Sequence, residues 1–233
     1  MNTETFLITG ASRGIGFELA RQLLASGRHV IATCRDPESA TFLHRLQEES
    51  SGDALRVIQL DVTDPESVSQ LAKQVDDLVI DVLVNNAGIM GGERQHLDDM
   101  DYGAWLLALE VNAIAPFRII EALRHTMQNA ERPRIVTFSS QMGALNRKSK
   151  GSFAYRTSKA AVNKVMQVLA LELEDEGIIV CPVHPGWVRT DMGGPQADIS
   201  TEESVAGIIR LIDSLETSQT GRFWTWDGRE HPW

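Results

Sequence analysis

Short apolar, β-branched runs alternate along this chain with longer stretches in which apolar residues recur every three or four positions. The runs predict strands at Thr5–Thr9, His29–Thr33, Leu55–Leu60, Val82–Val84, Arg134–Phe138, Ile178–Val183 and Arg222–Trp226. Most of them lack in/out alternation, as expected of parallel strands covered on both faces. The helical period predicts helices near 15–26, 37–50, 65–78, 100–130, 153–176 and 201–215. Strand–helix alternation implies right-handed crossovers. The fold class is therefore α/β, a doubly wound parallel seven-stranded sheet flanked by helices on both faces. No Gly/Ser-rich linker, charge block or internal repeat divides the sequence, so residues 1–233 read as one domain.

Helix starts carry their own signals. Asp36-Pro37 and Asp64-Pro65 each set a capping side chain before a proline suited to a first turn. Ser200-Thr201-Glu202-Glu203 has the form of a capping box. Pro116 falls inside the long 100–130 pattern, where it offers no N–H to the carbonyl of Asn112. A kink is predicted there, with the Asn112 oxygen left free for another partner.

Composition narrows the function classes. Apolar residues make up 42% and charged residues 23%, as in an ordinary globular chain. No apolar run approaches the roughly 18 residues that span a bilayer. The start, Met1-Asn2-Thr3-Glu4-Thr5, lacks a secretory layout, and a cytoplasmic protein is expected. With 22 Lys+Arg against 32 Asp+Glu, the net charge of −10 disfavours nucleic acid and anionic membrane as partners. Cys34 and Cys181, both inside apolar runs, do not suggest a disulfide framework. The six histidines have no metal-ligand spacing, and no G-x-S-x-G nucleophile elbow appears. No metal site is expected.

The first predicted strand runs into Thr9-Gly10-Ala11-Ser12-Arg13-Gly14-Ile15-Gly16 and then a helix. Glycines there let the backbone turn tightly and approach a pyrophosphate, whose charge suits a helix N-terminus. The spacing is G-x-x-x-G-x-G rather than G-x-G-x-x-G. The second strand ends Ala32-Thr33-Cys34-Arg35, without the acid that would hold a ribose 2′-hydroxyl. Asp36 is better explained as a helix cap. Arg35 and Arg13 offer guanidinium groups suited to a 2′-phosphate, so NADP(H) is favoured, with NAD(H) as the alternative.

Asn85-Asn86-Ala87-Gly88 follows the fourth predicted strand, Ser139-Ser140 the fifth, and Pro185-Gly186-Trp187-Val188-Arg189-Thr190 the sixth. Tyr155-Arg156-Thr157-Ser158-Lys159 opens the helix near 153–176. Together with the glycine turn, this ordered set resembles the short-chain dehydrogenase/reductase (SDR) family over essentially the whole chain, and hence a Rossmann-type fold. The Tyr-to-Lys segment, the Trp-containing Pro-Gly segment and Met192-Gly193-Gly194 are most similar to C-factor and sniffer-type carbonyl reductases.

The resemblance implies a role for each residue. Tyr155 would be the general acid, protonating a carbonyl oxygen as hydride arrives from the nicotinamide. A phenol near pKa 10 needs help at neutral pH, and Lys159, one turn away, would lower its pKa and bond the nicotinamide ribose. Ser140 would donate to the substrate oxygen. It lies fifteen residues before Tyr155, a gap slightly longer than the family's commonest, with the extra length in Asn146–Gly151. Aligning the strand ending selects Ser140 over Ser139. Asn112 matches the family's fourth catalytic position, where a main-chain carbonyl positions water beside the lysine. For the cofactor, the resemblance carries over Gly10, Ser12, Arg13, Gly14, Ile15, Gly16, Arg35, Asp61, Val62, Asn86, Ala87, Gly88, Tyr155, Lys159, Pro185, Gly186, Val188 and Thr190. Asp61 is equally explained by turn or capping work.

The implied activity is NADPH-dependent reduction of an aldehyde, ketone or quinone. The alternative is a dinucleotide-binding signalling or sensor protein of the C-factor type with little turnover. Epimerisation or dehydration on the same scaffold is a third reading. Only about ten residues separate Thr190 from the next helix, which implies a short lid and an open pocket. Met90, Gln141, Met142, Trp187 and Met192 either line that pocket or are ordinary packing. Leu106, Leu109, Ile119, Val162, Val165, Leu169 and Leu171 put apolar residues on more than one helix face, predicting a homodimer or homotetramer.

Overall fold

A computed structural model of the chain describes residues 3–50 and 52–233. In chain order the elements are β1 (Thr5–Ile8), α1 (Gly14–Ala25), β2 (His29–Cys34), α2 (Thr41–Glu49), β3 (Leu55–Gln59), α3 (Pro65–Gln74) and β4 (Val82–Asn85). A short hairpin follows, β5 (Gln95–His96) with β6 (Asp99–Met100), and then α4 (Tyr102–Leu109) and α5 (Ala115–Met127). The chain closes with β7 (Arg134–Phe138), α6 (Phe153–Glu172), β8 (Ile179–His184), α7 (Thr201–Ser214) and β9 (Trp224–Thr225). Seven strands form one parallel sheet in the order β3-β2-β1-β4-β7-β8-β9, a Rossmann-type arrangement. The order reverses between β1 and β4, which opens a crevice at their carboxyl ends.

Alternation along β1 divides the core. Phe6 and Ile8 face Leu19 and Leu23 of α1 and Val205 and Ile208 of α7. Leu7 faces the other way, toward Val68 and Leu71 of α3, Ile119 and Leu123 of α5 and Val162 and Met166 of α6. Each large side chain buried in this way contributes roughly 1.5–3 kcal/mol.

The predicted elements are present, with shifts that have local causes. Asp64 caps α3, its carboxylate accepting from Glu66 N at 3.0 Å, and Ser200 caps α7 through Glu203 N at 3.1 Å. Asp36 does not cap α2. It accepts from Ser39 N in a preceding turn, and α2 begins only at Thr41. Pro116 produces no sharp kink. Glu110–Ile114 widen into one π turn in which Ala115 N bonds Glu110 O, and the flanking dihedrals stay helical. The missing proline donor is absorbed by that turn. The last predicted strand shrinks to Trp224–Thr225. Of the apolar residues placed on α4–α6, Ile119, Val162 and Leu169 are buried, whereas Leu106 and Leu171 are exposed. No described helix is long and apolar enough to cross a membrane.

Candidate active site

The cleft above the β1/β4 crevice begins at the glycine turn. Gly10 takes φ +67°, and a Cβ there would lie 3.0 Å from Ala87 Cα, so glycine lets two loops touch. Gly14 takes φ +58° with its open side toward the cleft. No side chain caps the N-terminus of α1, whose first-turn amides and positive dipole end face this space. This suits a pyrophosphate. Gly16 has a different duty, because a Cβ would lie 2.6 Å from Gly10 O. It permits the turn to close and does not line the cleft.

Asn86 locks the same turn. Its Nδ2 donates to Thr9 O and Gly10 O, both at 2.8 Å, while Thr9 Oγ1 accepts from the amides of Asn86 and Ala87. Asp61 holds the β3 exit loop, its Oδ1 accepting from Thr63 N at 2.9 Å and Thr63 Oγ1 at 2.7 Å. Those bonds hold its carboxyl below the ordinary range, with Arg35 assisting. Arg13 and Arg35 stand exposed beside the cleft. Arg13 pairs with Asp191 at 3.0 Å, and the Arg35 side chain makes no hydrogen bond or ion pair among the described residues.

At the other end α6 delivers Tyr155 and Lys159 one turn apart. Lys159 Nζ donates to Phe138 O at 2.7 Å and lies 5.8 Å from the centre of the Tyr155 ring. Burial alone lowers its pKa to about 8. The Tyr155 phenol is raised by burial, with the Ser140 hydroxyl pulling the other way. The expected lysine-driven lowering of the phenol is thus reversed. The ammonium is directed at a carbonyl and the ring face, and desolvation dominates. Ser140 Oγ accepts from Met142 N at 3.1 Å, which leaves its own proton free to donate. Ser139 is committed elsewhere, donating to Asn163 Oδ1 at 2.5 Å.

Asn112 is buried beneath this group. Its Oδ1 accepts from Ile89 N at 2.9 Å, and its Nδ2 donates to Ile89 O at 2.8 Å and Ser158 Oγ at 2.9 Å. The side chain is a structural tie, and Pro116 gives its main-chain carbonyl no amide. Gly88 lets Lys159 pass, since a Cβ there would sit 3.5 Å from Nζ and 3.1 Å from Asn112 Oδ1.

Most predicted cofactor contacts do line the cleft: Gly10, Ser12, Arg13, Gly14, Ile15, Arg35, Asp61, Val62, Asn86, Ala87, Gly88, Pro185 and Thr190, with Tyr155 and Lys159. Gly186 and Val188 turn away. Gly186 at φ +93° packs against Ile199 and Trp226, and Val188 is buried and bridges to Ile199. Sequence reasoning missed Ile89, Leu107 and Phe138 in the wall, all indistinguishable by pattern from core residues. Of the pocket candidates, Met192 lines the cleft, while the exposed Trp187 donates from Nε1 to Gly193 O at 2.8 Å and pins the short lid. Among the described residues no group of three His, Cys, Asp or Glu side chains is placed to hold a metal.

Residues 4–200 match the sequence model of the short chain dehydrogenase family. The chain belongs to that family. As a short-chain dehydrogenase it is an oxidoreductase by family, and its relatives sharpen the picture. It is 39% identical to C-signal of Myxococcus xanthus over 155 residues, covering 66% of this chain and 93% of that protein. The carbonyl reductase Sniffer of D. melanogaster superposes with a TM-score of 0.93 at 28% identity over 100% of both chains. The NADPH-bound carbonyl reductase from chicken fatty liver does so with a TM-score of 0.91 at 30% identity, again over 100% of both.

Proposed function

We propose that this short-chain dehydrogenase is an NADPH-dependent carbonyl reductase acting in the cytoplasm, with Tyr155 as general acid. The observation that carries the proposal is that Tyr155 and the buried Lys159, one helical turn apart, line the end of a cleft floored by an uncapped helix N-terminus, with the Ser140 hydroxyl against the Tyr155 phenol. The residues fit NADP(H). Gly10 and Gly14 make room for a pyrophosphate, and Arg13 and Arg35 meet a 2′-phosphate where an NAD-binding site would set an acid. The kinship with NADPH-bound carbonyl reductase supports the same choice.

A dinucleotide held by these residues would supply hydride for the carbonyl carbon. Ser140 donates a hydrogen bond to the carbonyl oxygen and orients it, and Tyr155 gives that oxygen its proton. The phenolate left behind lies in a buried site, where the Lys159 ammonium favours it until a proton returns from solvent. The raised phenol pKa leaves Tyr155 protonated but makes it a weaker acid, so stabilising the phenolate falls to the Lys159 charge and the Ser140 hydrogen bond.

The test is NADPH oxidation, followed by its absorbance, across 4-nitrobenzaldehyde, acetophenone and a quinone, with NADPH binding measured by thermal shift on the same protein. Turnover of at least one carbonyl is expected. Binding without turnover would instead favour the signalling role that the kinship with C-signal makes the specific rival. The proposal extends to assembly. Exposed Leu106, Val168 and Leu171 on α4 and α6 are covered in a homodimer or homotetramer pairing these helices. A monomer by light scattering at micromolar concentration rejects it.

A further inference from the structure

α6 carries Tyr155 in its first turn, yet it has no cap of its own. Its N-cap residue, Ser152, sits in the left-handed region at φ 53° and its side chain makes no capping bond. The cap comes from sixty residues earlier. Gln95, buried in β5 of the small hairpin, accepts the Tyr155 N–H on Oε1 at 3.0 Å. Its Nε2 donates to Met90 O at 2.9 Å and Gly92 O at 2.7 Å. One acceptor bond to an amide and two donor bonds to carbonyls fix the orientation of the carboxamide uniquely.

The loop held in this way leaves β4 through Ile89 and Met90, on the side of the cleft where a carbonyl substrate would lie. It packs directly on the residue before Tyr155, because a Cβ on Gly91 would come within 2.8 Å of Ala154 Cβ. Gly91 and Gly92 take φ +84° and +82°, and the loop so turned brings the Met90 and Gly92 carbonyls to Gln95. The hairpin in turn pairs Gln95 with Met100, and Arg94 bonds Asp99 and Asp101 around it.

We propose that Gln95 is a positioning residue, a single carboxamide that fixes the backbone of Tyr155 relative to the substrate-side loop by capping α6 and binding Met90 and Gly92. The inference rests on Tyr155 being the proton donor and adds a second requirement, that the donor and the loop move as one. Displacing a reacting group by about 1 Å costs on the order of 100-fold in rate, so partial loosening is expected to cost about tenfold. The glycine turn that would hold the pyrophosphate lies apart from this contact, so dinucleotide affinity is expected to change little.

Two variants separate the two halves of the clamp. Gln95→Met keeps the volume and removes all three bonds. It lowers kcat about tenfold and leaves the Kd for NADPH within twofold. Gln95→Glu keeps the acceptor for Tyr155 N–H but repels the two carbonyls, so KM for the carbonyl substrate rises while kcat stays closer to wild type. A readout independent of turnover uses the fact that the chain has only two tyrosines. In a Tyr102→Phe background, ultraviolet titration reports the Tyr155 phenol alone, with Lys159 the charged group beside it. Gln95→Met loosens the first turn of α6 and lets water reach the phenol, which moves that titration downward, whereas Gln95→Glu does not. The proposal is overturned if both variants match wild type in kcat, KM and phenol titration. It is equally overturned if Gln95→Met loses NADPH binding, activity and thermal stability in parallel, the pattern of a purely structural residue. A wild type with no carbonyl turnover removes the donor role of Tyr155 alone, and the phenol titration still decides the clamp.

Discussion

At one end of the cleft Arg13, Arg35 and Asp191 stand in solvent, and the floor is shaped by glycines and by a turn that the Asn86 and Thr9 side chains tie to backbone groups. At the other end Lys159, Asn112 and Ser139 are buried, and groups from distant segments hold them: the Phe138 carbonyl, the Ile89 backbone and the Ser158 and Asn163 side chains. The first end needs only a turn, a helix dipole and screened charges to hold an anion. The second must keep a phenol and an ammonium dry and aligned, and burial moves both pKa values toward the neutral forms. The proposed function thus sites binding and chemistry in different dielectric surroundings within one cleft. Substitutions and pH changes at the two ends are expected to differ in size and in kind.

The largest separation is expected at Lys159. Lys159→Met lowers kcat/KM by about 100-fold or more, consistent with loss of acid–base support. It does not lower Tm, because the ammonium is held in a buried site at a folded pKa of about 8, well below its ordinary value. Steady-state kinetics and calorimetry on one preparation check both statements. A large drop in Tm would make Lys159 a structural residue first.

Acid provides the next test. His184, at the end of β8, is buried and its folded pKa is lowered to about 4, chiefly by desolvation, with His231 and Arg147 assisting and Asp227 opposing. An unfolded histidine titrates near 6.5, so the unfolded chain binds the proton first. Stability is therefore full above pH 6.5 and is lost as pH falls toward 4, by up to about 3 kcal/mol. Urea unfolding at pH 7 and pH 4.5 measures the loss, and His184→Asn flattens that part of the slope. The exposed arginine end contributes nothing to it.

Smaller effects belong to the open end. Arg35→Ser raises KM for NADPH about tenfold and leaves that for NADH nearly unchanged, and added salt shrinks the difference. Asp191→Asn frees Arg13 from its ion pair and tightens NADPH binding about twofold, within the modest worth of an exposed pair. If the two substitutions alter kcat rather than cofactor binding, the division between the ends fails.

The two ends also differed in how far they could be read from sequence. The glycine turn, the strand–helix alternation and the Tyr155–Lys159 spacing rest on local patterns. Continuous apolar runs report burial on both faces, and i, i+4 spacing reports a shared helix face. The roles of Gly16 and Gly186 were missed because a glycine that admits a ligand and one that admits a neighbouring chain look alike in a sequence. The π turn at Glu110–Ile114 was read as a kink because Pro116 announces a missing donor but not how the helix absorbs it. Gln95 carried no signal at all. It lies in a polar stretch, Gly92-Glu93-Arg94-Gln95-His96, and its partners lie three, five and sixty residues away. Ser140 over Ser139 came from aligning the strand end; Ser139 is the serine that lines the cleft, with its hydroxyl donated to Asn163, and the Ser140 hydroxyl lies against Tyr155.

The most direct measurement follows deuterium from 4-deuterated NADPH into product under single-turnover conditions, in wild type and Tyr155→Phe, with NADPH binding recorded in the same samples. The account predicts label on the carbinol carbon with wild type, hydride transfer slowed by about 100-fold or more in the variant, and equal NADPH affinity in both. A variant that transfers hydride within threefold of wild type would contradict it.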